Sequence, residues 1–89
     1  MIEKKSVLDQ PELHRSGVLY VRLAKLLVED GVEIGCEWHR TGIPHDIDPA
    51  AQMAAVNAHL AEMNYPAVSQ ADVDCVVASH ALMKGWLGL

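Results

Sequence analysis

The chain has 89 residues, 51% of them apolar but none of them phenylalanine, and a formal charge of −5. That length sets a single domain with a small core, and the shortage of basic residues excludes a phosphate-tracking stripe, so nucleic acid is not an expected partner. No apolar run approaches membrane-spanning length, and two cysteines far apart in sequence fit a reducing, cytoplasmic setting better than a disulfide scaffold.

The acidity is uneven. Residues 1–45 are close to balance, whereas 46–89 carry Asp46, Asp48, Glu62, Asp72 and Asp74 against Lys84 alone. Much of the apolar content is alanine, which fills little volume. A core of Ala, Leu, Val and Met in so short a chain is thin, and thin cores favour oligomers or bound partners.

In chain order, the patterning predicts a mainly α, three-helix small domain with one short strand-like connection. Residues 1–6 read as flexible or a short strand. A first helix is expected over about 10–30. Asp9 and Glu12 are spaced as a capping box, Leu8 and Leu13 as a hydrophobic staple, Pro11 falls in the first turn and Gly31 offers a stop. On a wheel, His14, Arg15, Arg22, Lys25 and Glu29 gather on one side. The apolar remainder covers more than half the circumference, wider than one packing partner needs.

Residues 32–38 alternate: Val32, Ile34, Cys36 and Trp38 against Glu33, Gly35 and Glu37, a two-residue period. A lone strand cannot satisfy its own backbone. It must pair with residues 1–7, with its copy across a two-fold axis, or with the sheet edge of another protein, unless it is an irregular loop over the helices.

A second helix is expected over 49–63, capped by Asp48 with Pro49 at the first position and ended by Asn64-Tyr65-Pro66. Met53, Val56, Leu60 and Met63 form one stripe. Ala50, Ala54, Ala58 and Ala61 form a second, flat one that reads as sandwiched against a neighbour. A third helix is expected over 70–84, with Ser69 as cap, Asp72 beside it and Gly85 as stop, followed by the apolar tail 86–89.

Chemistry is sparse. Cys36-x-x-His39 has half the spacing of a zinc knuckle, and His45 with Asp46 would have to improvise the rest; strand alternation also turns Cys36 and His39 apart. His45-Asp46 is the adjacent pair type of metal-dependent phosphohydrolases, but those spread further ligands over a much longer chain, and Asp48 is claimed by helix capping. His80 sits within the apolar stripe Val73, Val76, Val77 and Met83, as a satisfied core or interface histidine does. No phosphate loop, serine elbow or supported Cys–His pair appears, so no cofactor is expected. Helices two and three resemble a helix-turn-helix only in outline, because Asp72 and Asp74 would repel phosphate.

The expected function is a non-enzymatic protein-protein interaction module: a homo-oligomer, or a small adaptor or inhibitor of a larger protein. Trp38, Ala54, Ala58, Trp86 and Leu89 are its candidate contacts. The alternatives are a small metal-binding protein using Cys36, His39 and His45, and a small enzyme whose site, built on His39, His45 and Asp46, is completed between subunits.

Overall fold

A computed structural model describes residues 1–89 and shows three strands followed by two helices: β1 (Ile2–Leu13), β2 (Val18–Glu29), β3 (Val32–Pro44), α1 (Pro49–Glu62) and α2 (Gln70–Leu87). The strands form one antiparallel sheet in the order β1-β2-β3. The expected mainly α, three-helix domain is therefore incorrect. Residues 10–30, expected as the first helix, are the end of β1, a turn and the whole of β2.

The reason lies in β2. Leu19, Val21 and Leu23 are buried, while Tyr20 is exposed and Arg22 half-buried, which is a period of two. As the middle strand, β2 exchanges backbone hydrogen bonds on both sides, and that pairing outweighs the helix propensity of its Leu, Ala, Lys and Arg residues. Asp9 is not a helix cap. It is the extra residue of a bulge between Leu8 and Gln10, and Pro11 lies in an edge strand, where a missing N–H is tolerated.

Two turns fix the meander. Asp30 (φ 52°) and Gly31 (φ 80°) make the two-residue link between β2 and β3, with the positive φ pair that matches strand twist. Between β1 and β2, the Gly17 N–H donates to the His14 carbonyl (3.1 Å), and the Gly17 carbonyl accepts from the His45 N–H (2.7 Å). This first turn is thereby tied to the chain leaving β3. The strand expected over 32–38 is present but runs to Pro44. It pairs with β2, whereas residues 2–7 lie on the far side of β2 within β1.

The helices follow their sequence signals more closely. Asp48 accepts from the Ala50 N–H (3.1 Å) at the start of α1. Asn64 (φ 63°) closes its end, with the Tyr65 N–H donating to Leu60 and the Asn64 N–H to Ala61, a Schellman arrangement. Ser69 Oγ accepts from the Asp72 N–H at the start of α2. The freed Asp72 carboxylate then accepts from the Leu8 N–H on β1 (2.9 Å), joining helix to sheet edge. α2 runs through Gly85 and stops at Gly88 (φ 74°), three residues later than expected. An interior glycine costs a helix only about 1 kcal/mol, and the extra turn seats Leu87 against the core.

Both helices lie on one face of the sheet. Leu19, Val21, Leu23 and Ile43 meet Met53, Val56, Leu60, Val76 and Met83 there, with Val68 from the linker, which Asn57 Oδ1 holds through the Val68 N–H (3.0 Å). The longest dimension is 48 Å against 21 and 19 Å, because 12- and 13-residue strands outrun the helices.

Glycine substitutions separate conformational strain from collision. Gly31→Ala is expected to lower unfolding stability by about 1–2 kcal/mol through its positive φ alone, since a Cβ there meets nothing within 4 Å. Gly17→Ala adds a Cβ 2.8 Å from His45 Cδ2 to the same strain and is expected to cost more. Urea melts of the two variants should show that order.

Candidate interaction surface

The sheet has a second face, and nothing covers it. By alternation it presents Tyr20, Arg22, Ala24, Leu26 and Val28 from β2, Glu3, Lys5, Val7, Gln10 and Glu12 from β1, and Glu33, Cys36, Trp38, Arg40 and Gly42 from β3. Ala24 and Val28 are buried yet do not belong to the core cluster between sheet and helices. They form an apolar floor on the opposite side, flanked by exposed Val7, Tyr20 and Trp38.

Trp38 is the centre of this surface and is 45% exposed. The Arg22 guanidinium lies 4.4 Å from its ring centroid, a cation–π contact. Arg22 is itself held by Asp9, with Nε to Oδ2 at 2.8 Å and Nη2 to Oδ2 at 2.6 Å, and its Nη2 donates to Gln10 Oε1 at 3.3 Å. The bulge at Asp9 thus serves the open face, aiming a carboxylate at the arginine that supports the tryptophan. Toward the first turn, His14 packs edge-on against Tyr20 at 4.6 Å. Gln10, Glu12, His14, Tyr20, Arg22 and Arg40 line an open recess there of about 380 Å³.

The other expected contacts lie elsewhere. Ala54 and Ala58 are exposed on the outer side of α1, so the alanine stripe is not sandwiched within the subunit. Trp86 is 58% exposed and Leu89 59%, forming with exposed Leu82 an apolar strip at the end of α2. Trp38 is on the sheet and the remaining four on the helical layer, so the structure does not bring the five into one patch. Tyr20, Val7 and Arg40 were not singled out from sequence, because their strands were read as helix or their partners were unknown.

The metal and catalytic candidates are likewise dispersed. Cys36 faces the open side. His39, one residue beyond Trp38, faces the helices, with its ring 5.5 Å from that of His59. The His45 ring packs over Gly17, and Asp46 is exposed. No three His, Cys, Asp or Glu side chains converge in a metal-holding arrangement. His80 is buried on α2, with Nε2 2.9 Å from the Pro44 carbonyl. A carbonyl only accepts, so Nε2 carries the proton and the imidazole ties α2 to the end of β3. Buried Lys25 reaches Met63 Sδ (3.7 Å) and Glu37 (3.5 Å), and neighbouring Ser6 Oγ has no partner. The recess lies on the other face of the sheet, so this serine and lysine have no substrate cavity. No helix is long and apolar enough to cross a membrane.

Burial beneath α1 holds the His39 imidazole below its ordinary value of 6.5, and the charges of His59 and Lys25 push in the same direction. As pH falls, the unfolded chain therefore takes up its proton before the folded chain does. The stability due to neutral His39 is complete above the ordinary value, declines as pH drops below it, and levels off once folded His39 protonates. His39→Gln is expected to flatten the fall of urea midpoints as pH drops below the ordinary value of 6.5. An unchanged slope would show that other groups cause it.

Comparison with known protein families, curated proteins and solved structures gave no match to this chain.

Proposed function

We propose that this protein is a non-enzymatic protein-interaction module whose principal contact surface is the open face of its sheet. The observation that carries the reading is the placement of the aromatic residues. Tyr20, Trp38 and Trp86 are all exposed by about half, and the core cluster holds no aromatic side chain. Tryptophan, tyrosine and arginine are the residues that dominate interface energetics when a partner desolvates them. Here Trp38 and Arg22 are in contact beside buried Ala24, with Tyr20 in the next row beyond Arg22 on the same face.

Rigidity supports the same reading. Trp38 is fixed by a backbone ladder to β2 and by the Arg22–Asp9–Gln10 network, so little side-chain freedom remains to be lost on binding. The surface is also amphipathic, with an apolar middle and charged ends, which suits a protein partner better than a lipid phase. The apolar strip of Leu82, Trp86 and Leu89 is a secondary contact on the helical side.

Substitution at Trp38 tests the proposal, because the side chain lies outside the core cluster and its loss leaves that cluster intact. Trp38→Glu is expected to keep the circular dichroism spectrum and cooperative unfolding of the parent while abolishing self-association in light scattering or retention of a protein partner in affinity capture. A truncated hot-spot tryptophan typically costs 2 kcal/mol or more in binding. A parent chain that is monomeric and retains no partner overturns the reading.

A further inference from the structure

We infer that the occupant of the open face is a second copy of this chain, stacked face to face with its strands reversed about a two-fold axis that crosses β2 at Lys25. The inference rests on the interaction reading above and adds partner, orientation and register. Its basis is the order of cross-strand rows on the face. From one end to the other these run Gln10–Arg22–Arg40, Val7–Ala24–Trp38, Lys5–Leu26–Cys36 and Glu3–Val28–Glu33. The two middle rows are largely apolar. The outer two carry opposite charge, and each stands three residues along β2 from Lys25.

Like charges directly opposed across a sheet are unfavourable. Asp9 relieves Arg22, but Arg40 has no carboxylate within salt-bridge distance, and neither Glu3 nor Glu33 has a basic partner. Reversing a second copy about an in-plane axis perpendicular to the strands places β3 over β3 and each arginine row over a glutamate row. Arg40 then meets Glu33 of the second copy, and the contact occurs twice by symmetry. Trp38 falls over Cys36 of the second copy, so the exposed tryptophans flank the axis and cover the apolar middle. The other two-fold stacking, with its axis along the strands, sets Glu33 over Glu3 and leaves Arg40 over Gln10, so only the reversed register is self-complementary.

Reversal about Lys25 overlaps residues 21–29 of β2, about 30 Å of three strands about 4.8 Å apart, a footprint of roughly 430 Å² before side-chain relief. That is below the roughly 800 Å² per partner of a standard stable interface and makes this a weak, concentration-dependent dimer. The outer helical strip of Leu82, Trp86 and Leu89 has no comparable charge order to specify a partner.

Sedimentation equilibrium at low and high salt, with the full chain, tests the inference. The parent is expected to dimerise, more weakly as salt rises. Arg40→Glu, at an exposed side chain with no ion pair in the subunit, is expected to raise the dimer Kd at least tenfold. Glu33→Arg should do the same. The double variant Arg40→Glu/Glu33→Arg is expected to return to within about threefold of the parent, because the symmetric contacts are restored with signs exchanged. A dimer indifferent to both single changes, or one the double change fails to rescue, overturns the register. A parent chain that stays monomeric to about 100 μM, well above the Kd of typical specific pairs, overturns the self-association. If that monomer still captures another protein through Trp38, only this inference fails; if it captures none, the interaction reading fails with it.

Discussion

The structure depends on β2 being hydrogen-bonded along both sides. Two-sided pairing forces an extended backbone on residues that would otherwise favour helix, and extension sends alternate side chains to opposite faces. Leu19, Val21 and Leu23 thereby become the floor of the core beneath α1 and α2. Ala24 and Val28 become the floor of a second, uncovered face. Every later feature follows from that division. His39 and Thr41 of β3 turn toward α1, where Gln52 Nε2 donates to Thr41 Oγ1 at 3.1 Å. Trp38 and Arg40 turn away from it. One helical layer covers one face, so the other has to be tolerated in water or covered by another chain.

The same division explains how far the fold was legible in the sequence. The helices at 49–62 and 70–87 announced themselves through local chemistry: Asp48 with Pro49, Asn64 before Tyr65-Pro66, and Ser69 with Asp72. These are contacts between residues a few positions apart, and local patterns encode them directly. Strand β2 is different, since it is apolar toward both faces and mixes helix formers (Leu, Ala, Lys, Arg, Glu) with Val18, Tyr20, Val21 and Val28. The warning was the apolar arc of the supposed first helix, too wide for one packing partner. The stronger missed signal was Asp30-Gly31, flanked by two alternating runs, the pair that favours a two-residue hairpin turn. Reading Gly31 as a helix stop hid the hairpin and left β3 without a partner.

The surface was legible in part for the same reason. Trp38 stood out because its own strand alternated visibly, and Trp86 and Leu89 because a terminal apolar tail needs a place to dock. Arg40, Tyr20 and Val7 acquire meaning only from pairing across strands, at separations no local pattern reports. Ala54 and Ala58 illustrate the opposite error. A regular stripe of small residues suggests close helix packing, yet α1 turns Met53, Val56 and Leu60 inward and leaves the alanines outside. Volume decides this. A helix with two apolar sides buries the larger one first, since buried area sets the gain.

Unequal lengths carry the argument one step further. A strand of 12 residues spans about 40 Å, whereas the 18 residues of α2 span about 27 Å. The end of the sheet around the Asp30-Gly31 turn therefore extends past the helices, and exposed Ile2, Val32 and Ile34 lie there. Tyr65, lying under Lys4 (5.0 Å) and Lys25 (5.7 Å), marks where the covered region ends. Beyond it, the three strands are held by their ladders and the turn, with no helix on either face. Covering the open face would bury the side of this extension that carries Val28 and Leu26. Association through the sheet and order in the projecting hairpin are then a single equilibrium, in which the part of the fold least supported by the subunit's own core gains most from a partner.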